Sequence, residues 1–486
     1  SLRARWQLAS LDPVSGKVQP GPEQGWVEGY LFCLEQEELG DCVPAMPAVC
    51  PCCGADYRQR KIRKSPVRGF RTGFSKITQL LSKELFYSIE GVGARKLVVF
   101  SDSREEAAEL ANGIERSHYL DLVREAMYDE MYHLAVGEPA LLADLESHGE
   151  ARSRDASEYL KASPEASVRL SRSLDLVREA AKATESLGEN LRRVVEQELA
   201  NVQRQLNEIR SRGRSRAVPL RVLFESSDGG PGYLIQRLKQ LGVNPAGHDV
   251  LYQQFYDGSN YKRWTELFDF SSSASGWRAD LSPGARNALE RLRSRVAAET
   301  LSVLFAHLYF GFESAGLGYA CLDLEDAQFE ALASSCGVAV DVFRSICNAA
   351  LRIMGDMFRY RKGEQRDPDA INPWDWPDWD AARAGLRNFV KDCARAWGLQ
   401  EERLLDAVRM AICSLGGHEN FIINPRRLLV RIALPDDPVW RCEFCRRPHL
   451  HNPGICTSGF CRSPLPQSPQ GRVSDLHAGN YYSAQA

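Results

Sequence analysis

KLVVFSDSREEAAELANGIE, Lys96 to Glu115, is the stretch on which the reading of the fold turns. Leu97, Val98, Val99 and Phe100 form an unbroken apolar run, as expected of a parallel-sheet strand covered on both faces. Ser101-Asp102-Ser103 then supplies N-cap oxygens, and Ala107, Ala108, Leu110 and Ala111 keep helical spacing. The segment therefore predicts a strand, a polar turn and a helix. Free N–H groups at such a helix start, with Ser101, Ser103 and Arg104 beside them, suit one phosphate of a nucleic-acid backbone. A capped turn of this kind is also an ordinary feature of any doubly wound domain.

Neighbouring segments extend the pattern. RTGFSKITQLLSKELFYSI (Arg71 to Ile89) reads as an amphipathic helix leading into the strand, and IERSHYLDLVREAMYDEM (Ile114 to Met131) continues the helix after it. With LGVNPAGHD (Leu241 to Asp249), WTELFDF (Trp264 to Phe270), FGFESAGLGYACLD (Phe310 to Asp323) and WRCEFCRRPHLH (Trp440 to His451), the chain resembles superfamily 2 helicases, and most of all the helicase subunit of DISARM-type phage-defence systems. In that family the Lys96–Glu115 pattern is similar to motif IV of the second RecA-like domain. The resemblance implies ATP-driven movement on DNA in the complete protein, with ATP and Mg²⁺ as cofactors, a DNA partner gripped by Ser101, Ser103 and Arg104, and a protein partner subunit.

A motor also needs a G-x-x-x-x-G-K-[ST] loop and an acidic strand for Mg²⁺. Neither pattern occurs in these residues: the Gly91-Val-Gly93 cluster precedes the strand and lacks the Lys-Ser or Lys-Thr pair, and Asp129-Glu130 falls within a helical pattern. The chain opens at Ser1 rather than an initiator Met. It reads as a central piece of a larger protein, inactive alone as an ATPase. The competing reading is a non-catalytic, zinc-stabilised scaffold that recruits a partner subunit. No Cys, Ser or His stands at a spacing that suggests nucleophilic catalysis, so no catalytic residue is assigned.

Composition fits globular protein, with 44% hydrophobic and 26% charged residues in a chain of 486. The net charge of -3 excludes a general basic coat, so any DNA contact must use local patches. No apolar run approaches the ~18 residues of a membrane span, and no signal pattern opens the chain, so a cytoplasmic protein away from membranes is expected.

Of the fourteen Cys, nine fall into two clusters. Cys442-x-x-Cys445, ten residues, then Cys456-x4-Cys461 is zinc-ribbon spacing. Two tight thiolate pairs can close a tetrahedral Zn²⁺ and stabilise a segment too small for its own apolar core. Four sulfurs leave no open position for catalytic water, so the zinc is read as structural. His449 and His451 lie between the pairs and are alternative ligands, while Arg441, Arg446 and Arg447 flank them. The first cluster is looser: Cys50 and Cys53 form a knuckle, Cys52 competes with Cys53, and the second pair is Cys33 and Cys42. The single residues Cys321, Cys336, Cys347, Cys393 and Cys413 read as core.

The expected fold is mixed: a partial RecA-like α/β piece, a large mainly α-helical insertion and small zinc-ribbon elements. Residues 1–66 read as a small β-rich segment around the first Cys cluster, followed by a basic connector from Arg58 to Arg71. Residues 67–125 hold the motif IV strand, with Arg221 to Phe224 as a candidate neighbouring strand. Residues 126–435 form the helical insertion. Leu191, Val195, Leu199, Val202, Leu206 and Ile209 place one apolar seam on a long helix. With Val168, Leu170, Leu174 and Val177 on a returning helix they predict a coiled arm over about 166–212, suited to a partner subunit. Arg210, Arg212, Arg214 and Arg216 gather where that helix is expected to break, at Gly213, either as a basic tip or as complements to the helix dipole. Ile371 to Asp380 reads as a loop packed by its Trp side chains in preference to a base-stacking platform. Arg426, Arg427 and Arg431 form the best DNA-facing patch, unless they pair with acids of the helical region. Residues 436–470 are the zinc ribbon, and 471–486 a tail returning to the RecA-like domain.

Overall fold

The computed structural model describes residues 5–33, 47–51, 104–183, 189–227, 229–270, 276–306, 311–360, 376–459 and 461–478, with single positions between 56 and 88. For residue 5, 104–111, 180–183 and 189–192 it describes the backbone alone. The fold is mixed, with helix far exceeding strand and with small antiparallel sheets.

β1 (Arg5–Leu11), β2 (Val18–Pro20) and β3 (Val27–Cys33) form an N-terminal sheet in the order β2-β1-β3. Leu8 faces Tyr30 and Ala9 faces Pro20 across it. Ser10 is buried because its hydroxyl donates to the Gly21 carbonyl and accepts from the Glu23 N–H.

The strand and turn of the Lys96–Ser103 segment, with Ser101 and Ser103, lie outside the described residues. Arg104 opens α1 (Arg104–Tyr132), but its side chain is likewise outside them. Tyr119, Val123, Ala126 and Met127 face the core at steps of three and four, and the Tyr119 hydroxyl donates to the Pro245 carbonyl at 2.8 Å. A π-helical turn, His133–Gly137, joins α1 to α2 (Glu138–His148).

α3 (Arg154–Ala162) is capped by Ser153, whose oxygen accepts the Ala156 N–H. α4 (Ala166–Ala183) and α5 (Glu189–Ser215) pair beside α2. Leu141, Leu142, Leu145, Tyr159, Leu170, Leu174, Leu206 and Ile209 make a second core, separate from the main one. Burial along the predicted seam is deepest at its root: Leu206 and Ile209 are buried, whereas Val195, Leu199 and Val202 are half-buried.

α5 does not break at Gly213. It runs to Ser215, because Gly213 offers a bare surface to Pro139, where an added Cβ would stand 2.6 Å from the ring. The arginines therefore sit at the arm's root and not at a tip. Arg212 and Arg169 both reach the buried Glu138 at 2.6 Å, Arg210 pairs with Glu146, and Arg216 holds Asp437 at 2.7 Å.

β4 (Ala217–Pro219) follows, and Arg221 to Phe224 is no strand: Leu220–Leu223 is a 3-10 turn, since Pro219 ends the ladder. Next come α6 (Tyr233–Gln240), the hairpin β5 (Gln254–Tyr256) and β6 (Tyr261–Arg263), and α7 (Pro283–Leu304), capped by Ser282. β7 (Gly318–Leu322) leads to α8 (Asp326–Cys336), which carries a reciprocal cap between Glu325 and Gln328. α9 (Val340–Asp356), α10 (Ala384–Ala396) and α11 (Glu401–Arg409) complete the helical body. β8 (Leu428–Ile432) is the centre of a sheet ordered β4-β8-β7, antiparallel throughout. Leu428, Val430 and Ile432 alternate into the main core, with Phe343, Phe389, Phe421 and Met127 among its largest members.

Cys347 and Cys393 are buried in that core, Cys336 and Cys413 are half-buried at its edge, and Cys321 is half-buried against a separate cluster that includes Tyr319 and Val439. In the Trp-rich loop, Trp376 is buried under the Arg359 guanidinium, 3.7 Å from its ring centre, and the Trp379 indole donates to the Leu405 carbonyl. These two Trp are packing residues. No helix among the described residues is long and apolar enough to cross a membrane.

Candidate metal centre

β9 (Pro438–Arg441), β10 (Pro448–His449) and β11 (Gly471–Arg472) form a small sheet in the order β10-β9-β11, and α12 (Val473–Ala478) packs its Val473 and Leu476 beside Tyr319, Ala433, Val439 and Leu450. The segment read as a returning tail thus begins as the third strand of this unit, and 479–486 lie outside the described residues.

Two turns aim four sulfurs at one point. In the first, the Arg446 N–H donates to the Cys442 carbonyl and the Cys442 N–H to the Arg447 carbonyl, with Arg446 at φ 61°. In the second, the Cys461 and Arg462 N–H groups donate to the Ser458 carbonyl, with Arg462 at φ 46°. Each turn therefore places the residue after its last Cys in the left-handed region, which L side chains seldom adopt. The Ser458 N–H also donates to the Cys456 sulfur at 3.5 Å, as a backbone amide does toward a thiolate.

Cys442 Sγ stands 3.6 Å from Cys461 Sγ, and Cys445 Sγ 3.5 Å from Cys456 Sγ; all four sulfurs lie within 4.8 Å of one another. A disulfide requires about 2.05 Å, and all four are free thiols. A tetrahedron with metal–sulfur bonds of ~2.3 Å has edges of roughly 3.8 Å. The cage therefore fits a tetrahedral ion without rearrangement. Cys442 and Cys456 are buried, Cys461 is half-buried and Cys445 is exposed. The Cys442 thiol is held below its ordinary value by the thiols of Cys445 and Cys456, then by the N–H groups of Cys445 and Phe444.

His449 and His451 are not ligands of this cage but face the helical body. The Arg352 Nη1 lies 3.4 Å from His449 Nδ1, and the His451 ring packs on Tyr319 at 4.7 Å with its Nε2 4.0 Å from Glu313. Burial pushes both imidazoles down, His451 to about 4, so both are neutral at pH 7. Around them runs a buried network absent from the sequence reading. Arg352 on α9 pairs with Glu313 at 2.7 Å, donates to the Pro448 carbonyl at 2.9 Å and reaches Ser314 Oγ at 3.1 Å. The Leu450 N–H donates to Glu313, and Arg447 pairs with Asp356 at 2.6 Å. Arg447 is thus turned inward. A lone Arg inside the apolar run AALRIMG, residues 349–355, was the available signal, because a cation on the buried stripe of a helix needs a partner.

Gly454 closes a further contact. At φ 89° it lies so near Trp397 that a Cβ would stand 2.5 Å from the indole nitrogen, which itself donates to the Pro453 carbonyl.

The remaining predicted residues are dispersed. Arg426 is bound to Glu225 at 2.6 Å, Arg431 lies half-buried with Nη1 3.2 Å from the Tyr319 hydroxyl, and Arg427 is exposed beside Gly417. Of the first cluster, Cys33 ends β3, where Gln7 Nε2 donates to its sulfur, and Cys50 follows a bridge between Val49 and Asp56. Cys42, Cys52 and Cys53 lie outside the described residues. No family model, curated protein or solved structure matches the chain.

Proposed function

We propose that the chain is the central part of an ATP-dependent DNA helicase or translocase, of the phage-defence kind its sequence resembles, in which structural zinc at Cys442, Cys445, Cys456 and Cys461 braces a helical insertion. The observation that carries the bracing is the clamp between ribbon and body: Arg447–Asp356, the Arg352 bond to the Pro448 carbonyl and the Leu450 N–H bond to Glu313 all cross that boundary, and the Arg352–Glu313 pair on the body side ties the last two together. When bound, zinc supplies no chemistry beyond cross-linking four thiolates, which fixes the two turns and hence the register of Arg447 to His451. Arg441, half-buried, and Arg446, exposed, have no ion-pair partner among the described residues, which favours contact with DNA phosphates. ATP and Mg²⁺ would be bound elsewhere in the complete protein.

Binding of short single- and double-stranded DNA across a salt series tests the reading. Affinity falling steeply with salt, and reduced by Arg441→Gln with Arg446→Gln, supports it; no binding at low salt refutes DNA contact within this chain. In that event the second reading, a zinc-stabilised scaffold for a partner subunit, gains ground. It is favoured by Val168, Leu176 and Val194, which are more than half exposed on α4 and α5.

A further inference from the structure

The β5–β6 hairpin carries a surface that the motifs do not reach. Its register places Gln254 opposite Arg263, Phe255 opposite Lys262 and Tyr256 opposite Tyr261. Because side chains alternate, Phe255 and Lys262 share one face and Gln254, Tyr256, Tyr261 and Arg263 the other. Phe255 is buried, and the start of α7 is pressed on the same strand: a Cβ at Gly284 would stand 2.4 Å from the Tyr256 carbonyl oxygen. The hairpin is therefore fixed to the body by one face, and all four residues of the other are exposed.

That outer face has a defined chemistry. Tyr256 and Tyr261 are 53% and 75% exposed, with ring centres 5.5 Å apart and planes tilted by 55°. Arg263 has no ion-pair partner among the described residues, so the face bears one free positive charge and no negative one. The hairpin's own acid, Asp257, is turned to the far side. Lys262 holds it at 2.7 Å, and it accepts the N–H groups of Ser259 and Asn260 in the turn.

We propose that this face is a stacking platform for single-stranded nucleic acid, with bases on Tyr256 and Tyr261 and the Arg263 guanidinium on an adjoining phosphate. The inference rests on the DNA-acting reading above and locates where a separated strand is held. Two exposed aromatic rings on a rigid support, one unpaired cation and no carboxylate are the elements of sequence-tolerant strand binding. A protein partner would have to place a carboxylate at one spot for the guanidinium, whereas a nucleic-acid backbone offers a phosphate at every step.

The test uses the full, metal-loaded chain and a fluorescein-labelled oligothymidylate of roughly 15 nucleotides, with a blunt duplex beside it. Tyr256→Ala and Tyr261→Ala should each weaken single-strand binding about tenfold, while Tyr→Phe at both positions holds it, since stacking needs the ring and not the hydroxyl. Arg263→Gln should lower the salt slope by about one, and duplex binding should be unmoved by the tyrosine changes. Ala variants that melt like the wild type and bind the single strand equally well overturn the platform while leaving the DNA reading intact. A wild-type chain that binds neither probe at low salt removes both. If the Ala variants instead lose concentration-dependent self-association, with strand binding unchanged, the face is a protein contact and the proposal fails.

Discussion

Arg352→Met leaves Glu313 in a place built for a pair. Both side chains are under a tenth exposed, and without the guanidinium the carboxylate keeps one N–H, that of Leu450. Removing one member of a buried pair costs about 3–5 kcal/mol. The carboxylate has one escape, which is to take a proton. For an ordinary glutamate titrating near ~4.3, protonation at pH 7 costs roughly 3.7 kcal/mol, so the penalty is capped near that value. The cap falls by roughly 1.4 kcal/mol for each unit of pH, to about 1 kcal/mol at pH 5. Met fills much of the stem volume, so the lost packing is small beside the charge effect. Urea midpoints of the metal-loaded protein, followed by release of the ion to a colorimetric chelator, should show the variant's deficit shrinking as pH falls. The double variant Arg352→Met with Glu313→Gln should recover most of the loss. A deficit under about 1 kcal/mol at pH 7, or one that does not change with pH, would falsify the argument that the cost is an orphaned charge.

Three further outcomes are expected. Elemental analysis of protein purified without chelator should find about one zinc per chain for the Cys442 cage, and Cys456→Ser should abolish it and lower the melting temperature; retention of the ion by that variant would show that the cage is not the site. His418 and His451 are pushed by burial from an ordinary 6.5 to about 4, so the unfolded chain takes up their protons first as pH falls. Their contribution to stability should be constant well above pH 6.5 and fall between about 6.5 and 4, by roughly 3 kcal/mol per histidine at most; it is read as the difference in urea titrations between the wild type and His418→Asn with His451→Asn, and a difference that does not change across that window would contradict their neutral burial. In the arm, Leu206→Ala should cost about 2–5 kcal/mol and Val194→Ala, which lies off the seam, less than about 0.5, read by thermal melting; equal effects would mean that Val194 is covered as well.

Local signals were legible in the sequence. Leu386, Phe389, Val390 and Cys393 step by three and four and are the buried face of α10, and the four Cys of the ribbon meet because each pair is set by a turn of a few residues. By its spacing alone the span from Ala327 to Met354 suggests one helix, but it is divided by Gly337, whose φ of 71° ends α8. What the sequence hid is remote pairing. His449 and His451 sit at plausible ligand spacing, yet their orientation is decided by Glu313 and Arg352, about a hundred residues or more away. The arginines around Gly213 and in Asn424 to Arg431 look alike in sequence. Only the fold shows that Glu138, Glu146, Asp437 and Glu225 already answer most of them. β4 has only three residues and β7 opens on a glycine, and the strand character of both comes from pairing with β8.

That last dependence has a consequence for biosynthesis. β4 and β7 never pair with each other, and each bonds only to β8, which leaves the ribosome last. At ~5–20 residues per second, residue 219 waits roughly 10–40 s for residue 432. During that interval the nascent chain holds two strands with open hydrogen-bonding edges and the apolar faces of α7, α8 and α9 without their sheet. Such a species is a natural client for chaperones, and the ribbon is translated immediately afterwards, so sheet closure and metal capture fall within the same few seconds of synthesis.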